Sequence, residues 1–327
     1  MLHKTQDATR NTRDEIPSLL KLYRMTIACL PRLAAFPKCY IEEIAFKRTM
    51  SLFDWIEMAQ ALPAEGLELY EGFLTSHDDA YLDSVGDAIA KAGFAMPMMC
   101  CSPDFTHPDA DMRRRAFDHE VEMIRVTRRL GGPGATCRVL SGQRYPEVPL
   151  EQGIEWVVDV IMRLIPIAKE YDVVLGMENH YKDGAWRYPE FAQKKDVFLR
   201  IVNAIPERTH FGVQYDPSNA IVAGDDPIAL LHEVKERVVS MHASDRYLAE
   251  GVTLDSLRQS DGTLGYSPHL RHGITGRGLN DYHAIFRILR EVRYSRWISI
   301  EDGMNGMDEM RESLLFLHRM REEYFGC

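Results

Sequence analysis

Short apolar and β-branched runs alternate along the chain with longer segments whose apolar residues recur at helical spacing. Eight such pairs can be counted between Tyr23 and Tyr324. Several runs are apolar at consecutive positions, as in parallel strands covered on both faces. This pattern predicts an α/β fold, a single (β/α)8 TIM barrel. The predicted strands are 23–30, 66–70, 93–100, 135–140, 172–179, 210–216, 237–243 and 296–302.

The clearest predicted helices are 151–170 and 308–324, each with apolar residues on one face. Asp196 is predicted to cap the helix that follows it. Two segments depart from the alternation. Residues 1–20 are predicted to form a polar N-terminal arm before a barrel domain spanning 21–327, and 246–280 forms a long loop after the seventh strand. Loops of that length in a compact domain usually have a function.

Composition narrows the class of protein. The 327 residues contain no apolar run long enough to span a membrane, and the N-terminal stretch is charged where a signal peptide would be apolar. We therefore expect a soluble cytoplasmic protein. The formal charge of −10 disfavours binding to nucleic acid. The six cysteines form no CxxC pair and are expected to be free thiols, mostly in the core.

Ionisable residues end four consecutive predicted strands. In such a barrel these ends meet at the face that carries the active site. Three carboxylates and an imidazole at one mouth would repel one another unless a cation or protons neutralised them. The set Glu178, Asp216, His242 and Glu301 therefore predicts a divalent-metal site. Its oxygen and nitrogen donors suit Mn²⁺, the expected ion, or alternatively Mg²⁺, Co²⁺ or Zn²⁺.

A metal held there could polarise a sugar carbonyl and ease removal of the neighbouring proton. Glu178 and Glu301 are predicted to act as both ligands and proton-transfer groups, and His180, on the same strand face as Glu178, as a separate base. Contacts to substrate are predicted from polar side chains around the rim, namely Gln143, Asp245, His272 and Arg277.

Simpler interpretations of the same residues stay open. A single acidic residue at a strand end is often a helix cap or an ion-pair partner, and His180 alone could be a hydrogen-bonded histidine beside the site. A barrel with a degenerate site, acting as a binding or scaffolding subunit, is a further alternative.

Several motifs resemble the xylose isomerase-like TIM-barrel superfamily of sugar-phosphate isomerases and epimerases. They are GxENH at 176–180, DPSN at 216–219 and HxxD at 242–245. The resemblance implies metal ligands at Glu178, Asp216, His242 and Glu301, with proton exchange by the two glutamates. Two departures argue against a plain ketose 3-epimerase. Asn219 stands where several relatives carry histidine, and the ketose epimerases have an arginine after their seventh-strand histidine in a context that this chain does not reproduce.

A narrower resemblance rests on RVLSGQ at 138–143, DGTLGYSP at 261–268, HGITGRGLNDYHAIF at 272–286 and ISIEDGMNG at 298–306. These stretches are similar to the large subunits of bacterial C-glycoside deglycosidases. That resemblance implies an alternative activity, a lyase that cleaves 3-keto-C-glycosides by elimination together with a small β-rich partner subunit. The substrate is thus expected to be a sugar, a sugar phosphate or a keto-glycoside.

The superfamily also contains abasic-site endonucleases. They carry a histidine-rich trinuclear zinc cluster and a basic DNA-binding face, whereas this chain is acidic and has few histidines at its strand ends. That interpretation is therefore disfavoured. A homo-oligomer is the alternative to a heteromeric assembly.

Overall fold

A computed structural model describes residues 30–258, 269–301 and 305–326. The predicted arm, 1–20, and Asp302 lie outside these ranges. The strands are β1 Arg32–Ala35, β2 Gly66–Leu67, β3 Leu69–Tyr70, β4 Met98–Cys100, β5 Thr136–Val139, β6 Val174–Glu178, β7 Phe211–Tyr215, β8 Val238–Ala243, β9 Arg246–Leu248, β10 Leu270–His272 and β11 Trp297–Ile300.

Ten α-helices lie within the described ranges. They are α1 Leu52–Ala59, α2 Asp79–Lys91, α3 Ala110–Gly131, α4 Leu150–Tyr171, α5 Lys195–Ala204, α6 Pro217–Ala223, α7 Pro227–Val234, α8 Leu254–Arg258, α9 Tyr282–Glu291 and α10 Met307–Phe325. Their lengths run from 5 residues in α8 to 22 in α3 and α4. In the described part of the chain, no helix is both long and apolar enough to cross a membrane.

Nine parallel strand segments form the barrel in the order β2, β1, β11, β8, β7, β6, β5, β4, β3. The two segments at the ends of this order are halves of one strand. β2 pairs with β1 and β3 pairs with β4, and only Glu68 separates the halves. The Glu68 amide donates to the Ala35 carbonyl at 3.0 Å. The ring therefore closes as eight strands, which confirms the (β/α)8 barrel.

Seven of the eight predicted strands coincide with barrel strands. The predicted first strand, 23–30, falls almost wholly outside the described residues. Its place in the barrel is taken by β1, which pairs with β11 from Arg32 to Ala35. The first strand therefore lies later in the chain than its apolar pattern predicted, because the run RLAA is short and begins with a charged residue.

The helix predictions at 151–170 and 308–324 are confirmed as α4 and α10. The predicted cap at Asp196 is wrong. Helix α5 begins two residues earlier than that cap implies, its N-cap is Lys194, and the Asp225 carboxylate accepts from the amide of Lys195 at 2.8 Å. Asp196 instead lies in the first turn, where its charge still favours the helix dipole.

The long segment after the seventh barrel strand is partly ordered into secondary structure. β9 and β10 form an antiparallel pair that joins Arg246 with His272 and Leu248 with Leu270. Leu270 packs with Tyr181, Val222 and Leu257 in a small apolar cluster separate from the main core. The pair therefore stands over the carboxyl-terminal mouth of the barrel, beside the segment that follows β6.

Candidate active site

A pocket of about 340 Å³ opens at the carboxyl-terminal mouth of the barrel. Three segments supply most of its wall, namely the chain after β1, the chain after β6 and strand β10. The polar lining residues are Lys38, Arg138, His180, Lys182, Asp183, His272 and Glu301, and the apolar ones include Phe36, Ile41, Phe46, Tyr70 and Tyr181. The volume lies within the range of small-molecule sites.

The predicted ligand cluster assembles beside this pocket. One donor atom each from Glu178, Asp216 and His242 lies within 4.8 Å of the others, and all three side chains are buried. The fourth predicted ligand, Glu301, places Oε2 3.8 Å from His242 Nδ1. Strands β6, β7, β8 and β11 thus bring together the four residues that the sequence predicted.

One carboxylate oxygen of Asp216 accepts two hydrogen bonds, and the other accepts none. Its Oδ1 accepts from the Asn219 amide at 3.0 Å, capping α6, and from Ser244 Oγ at 2.7 Å. Its Oδ2 is buried and has no hydrogen-bond partner. Burial, followed by the charges of Glu301 and Glu178, raises the pKa of Asp216 to about 6. An unsatisfied buried carboxylate oxygen of this kind fits a cation.

Two neighbours hold Glu178 in its ionised form. Arg138 donates to its Oε2 at 2.8 Å and Asn219 donates to its Oε1 at 3.1 Å. Burial opposes ionisation, but the charges of Arg138 and His242 outweigh it and lower the pKa of Glu178 to about 2. Asn219 therefore helps to hold the carboxylate of Glu178 in place.

Glu68 orients the ring of His242. Its Oε1 lies 2.5 Å from His242 Nε2, and Nδ1 on the opposite side lies 3.3 Å from Glu178 Oε1. Nδ1 has no hydrogen-bond partner. A carboxylate on one imidazole nitrogen fixes the tautomer and raises the basicity of the other nitrogen, an arrangement common for metal-binding histidines.

Lys38 forms an ion pair with Glu301 in the pocket lining. Its Nζ lies 3.0 Å from Glu301 Oε2, and both side chains are largely buried. Burial alone would raise the pKa of Glu301, but Lys38 and His242 outweigh it and hold that pKa below its ordinary value. Glu301 is therefore a carboxylate at the edge of the pocket, next to a fixed positive charge.

His180 lies in the pocket wall against a second buried glutamate. Its Nδ1 is 3.4 Å from Glu190 Oε2, and Glu190 Oε1 accepts from the amide and hydroxyl of Ser141. Burial lowers the pKa of His180, but Glu178 and Glu190 outweigh it and the net pKa is raised. A histidine that borders the pocket and is held by a carboxylate can bind or release a proton.

The four residues predicted to touch substrate fall in different environments. His272, carried by β10, lines the pocket. Gln143 accepts at Oε1 from the amides of Arg187 and Tyr188, and so positions the chain after β6.

The other two, like Gln143, are not part of the pocket lining. Asp245 accepts from the amides of Gly276 and Gly278 at 3.0 and 2.8 Å, holding the segment after β10. Arg277 is largely exposed and pairs with Glu312 of α10.

Three residues of the site were missed in the sequence, namely Lys38, Glu68 and Arg138. Glu68 and Arg138 each stand inside a short apolar strand, where a charge must have a partner because burying it alone is costly. That signal was present in GLELY and ATCRVL. Lys38 carried no such signal, since the strand before it was placed too early in the chain.

Replacing Glu68 by glutamine should weaken metal binding by about 10- to 100-fold, because the ring of His242 loses the charge that orients it. Titration with Mn²⁺ followed by calorimetry would measure the change. Glu71→Gln is a matched control, since Glu71 pairs with His119 away from the ligand cluster. Equal affinities for the two variants would contradict a role for Glu68.

The protein is a parallel α/β barrel, and the ends of its strands carry a buried cluster of carboxylates and a histidine. The chain belongs to the xylose isomerase-like TIM barrel family, whose model matches residues 53–320. This confirms the family resemblance seen in the motifs.

Individual relatives differ in their named activities. An inosose dehydratase of Geobacillus kaustophilus (strain HTA426) is 29% identical over 167 residues, which are 49% of this chain and 50% of the relative. The chain thus spans about half the length of that curated relative.

Solved structures resemble the whole barrel. The IolI protein with a bound zinc atom superimposes with a TM-score of 0.68 at 15% identity, covering 90% of this chain and 100% of that one. A 3-keto-D-glucoside 4-epimerase from E. coli gives 0.62 at 16% identity, covering 88% and 99%. At these identities the likeness establishes the fold alone.

Proposed function

We propose that this protein is a divalent-metal-dependent enzyme that removes the proton next to a carbonyl of a sugar-like substrate, as isomerases and epimerases do. The observation that carries the proposal is the convergence of Glu178, Asp216 and His242 within 4.8 Å beneath a pocket that Glu301 borders. The family, and the epimerase and dehydratase names among its relatives, support the same class of reaction.

The side chains fit a divalent cation. Asp216 Oδ2 and His242 Nδ1 are buried without hydrogen-bond partners, and Glu178 stays ionised beside them. Glu301 would complete a set of three carboxylates and one imidazole, which suits Mn²⁺, Mg²⁺, Co²⁺ or Zn²⁺, with Mn²⁺ expected. Such an ion supplies Lewis acidity to a bound carbonyl.

Proton transfer falls to residues that reach the pocket. Glu301 and His180 both line it, just after strands β11 and β6, whereas the side chain of Glu178 is fully buried and forms an ion pair with Arg138. We infer that Glu301 and His180 exchange the proton with substrate, and that Glu178 serves chiefly as a ligand. Lys38 holds Glu301 in its ionised form and lies where a developing negative charge on substrate oxygen would be stabilised.

The direct test is solvent deuterium exchange followed by mass spectrometry, across ketoses, their phosphates and 3-keto-glycosides, with and without a chelator. Exchange into a ketose or ketose phosphate that the chelator abolishes and Mn²⁺ restores is the expected result. The proposal fails if no compound of the panel exchanges with the metal-loaded protein.

One feature of the pocket favours the eliminating lyase as a second candidate. The lining combines apolar side chains, including Phe36, Ile41, Phe46 and Tyr70, with charged ones such as Lys38, Arg138 and Glu301. Such a lining suits a sugar that carries an apolar group, as the keto-C-glycosides of the deglycosidases do. Aglycone release seen only with a 3-keto-glycoside, and dependent on a small partner subunit, would establish this alternative.

Metal affinity should fall more steeply with acidity below about pH 6. The pKa of Asp216 is raised from its ordinary value to about 6, so below that pH the metal-free protein holds a proton that the ion must displace. Above it the carboxylate is already ionised. The Mn²⁺ dissociation constant should therefore increase by an additional factor of about ten for each pH unit below about pH 6. Calorimetric titrations at several pH values would measure the dissociation constant. A plot of its logarithm against pH with no change of slope near pH 6 would contradict the prediction.

Other aspects stay predictions from the sequence. These are a cytoplasmic location, the absence of nucleic-acid and membrane binding, and assembly either as a homo-oligomer or with a small β-rich subunit.

A further inference from the structure

A second polar cluster lies between the barrel wall and helix α3, apart from the pocket. It consists of Cys101, directly after β4, Cys137 on β5, and Glu120 on α3. One donor atom from each lies within 4.8 Å of the others, and all three side chains are fully buried. Thr127 lies two helical turns from Glu120 on the same buried face of α3. Two thiols, a carboxylate and a hydroxyl thus occupy a stretch of core where apolar side chains would be expected.

The carboxylate of Glu120 is not satisfied by the protein. Its Oε1 accepts from Cys137 Sγ at 3.2 Å, but Oε2 is buried with no hydrogen-bond partner, as is Thr127 Oγ1. Within the ranges the structure describes, no lysine, arginine or histidine forms an ion pair with Glu120. Burying an unpaired carboxylate is costly, so the group must be protonated or accompanied by a cation.

Protonation alone leaves the cluster incomplete. A proton on Oε2 would have no acceptor, and a proton on Oε1 would compete with the Cys137 thiol while Oε2 remained without a donor. In either case one polar atom is buried and unpaired, at a cost of about 1–3 kcal/mol. A bound ion would satisfy both thiolates and the carboxylate at once.

Two of the three donor–donor distances are close to those expected around tetrahedral zinc. With Zn–S bonds of about 2.3 Å, two thiolates on one tetrahedral ion lie about 3.8 Å apart, and a thiolate and a carboxylate oxygen lie somewhat closer. Cys101 Sγ and Cys137 Sγ are 3.9 Å apart, and Cys137 Sγ is 3.2 Å from Glu120 Oε1. Two soft thiolates favour zinc over the harder ions that suit the pocket site.

We propose that Cys101, Cys137 and Glu120 bind a structural zinc ion that fastens helix α3 to strands β4 and β5. Thr127 or a water molecule supplies the fourth ligand. The site is independent of the pocket cluster, because it shares no ligand with Glu178, Asp216, His242 or Glu301. Arg138 is a neighbour of both sites, since its Nε donates to the Cys101 carbonyl at 3.0 Å and its guanidinium also donates to Glu178.

The test compares metal content and spectra of the full-length protein. The wild type should hold about one zinc ion per chain that survives dialysis against a chelator, and that ion should be missing from the variant Cys101→Ser/Cys137→Ser. Protein loaded with Co²⁺ should show an intense near-ultraviolet thiolate-to-cobalt band, which the double variant lacks. Cys39→Ser is the matched control, since Cys39 lies elsewhere against Met310.

Two further measurements keep the proposal falsifiable. Glu120→Gln preserves the shape of the side chain and should lower zinc affinity while leaving the thiolate band weakened but present. Asp216→Asn should not change the chelator-resistant zinc, which separates this site from the pocket metal. The proposal is overturned if wild-type protein holds no zinc after reconstitution and shows no thiolate band with Co²⁺. In that case the cluster would be explained by a protonated Glu120 that is hydrogen-bonded to Cys137.

Discussion

Asp216→Asn should abolish retention of the pocket metal and lower the rate of substrate–solvent hydrogen exchange by at least about a thousandfold. The substitution removes the negative charge of the unpartnered Oδ2, and the Lewis acidity of a bound ion contributes several kcal/mol, each 1.4 kcal/mol being about tenfold in rate. The fold should survive, since an asparagine Oδ1 can still accept from the Asn219 amide and Ser244. Elemental analysis and deuterium incorporation would measure both effects.

The chain offers a closely matched control. Asp226, like Asp216, precedes a proline and caps a helix, accepting from the amides of Ile228 and Ala229. It is exposed and lies outside the ligand cluster. Asp226→Asn should therefore leave metal content and exchange unchanged. Similar losses in both variants would mean that capping, rather than metal binding, explains the effect.

Arg138→Met should lower the free energy of unfolding of the metal-free protein by about 3–5 kcal/mol. The substitution leaves the ionised carboxylate of Glu178 buried without its cation, and it also removes the bonds to Ser102 and the Cys101 carbonyl. Methionine fills much of the same volume, so a cavity contributes little. Urea denaturation followed by circular dichroism would measure the change.

Two variants separate the charge from the packing. Arg200→Met breaks an ion pair with Glu151 whose side chains are exposed, and it should cost less than about 1 kcal/mol. Adding Glu178→Gln to Arg138→Met removes the uncompensated charge and should recover part of the lost stability. If the double variant were less stable than Arg138→Met alone, burial of the Glu178 charge could not be the cause.

The barrel, and the convergence of four ionisable side chains at its mouth, could be predicted from sequence because both depend on local patterns. Buried parallel strands are continuous apolar runs, and each run that ended in an ionisable residue placed that residue at the mouth. Glu178, Asp216, His242 and Glu301 were found in this way, and the structure brings them together.

The groups that tune these donors could not be predicted in the same way. Arg138 meets Glu178, and Glu68 meets His242, across strands that are 40 and 174 residues apart in the chain. Such pairings depend on barrel closure, which a pattern of apolar positions does not encode. The long segment after β8 shows the same limit. The length of this segment predicted a functional loop. Its pairing as β9 and β10 places His272 in the pocket lining, whereas Arg277 lies outside the lining and pairs with Glu312.

The donors and the pocket walls come from different parts of the architecture. The donors stand on strands, or directly after them, in a closed ring, whereas the walls are the chain after β1, the chain after β6 and the β9–β10 pair. Insertions and substitutions in the walls alter the shape offered to a substrate without moving the carboxylates and the imidazole. Proteins of this architecture can change what they bind by changing loops while the residues at the strand ends stay constant. Proteins that are similar to this chain and are named as a dehydratase and an epimerase agree with this kind of divergence.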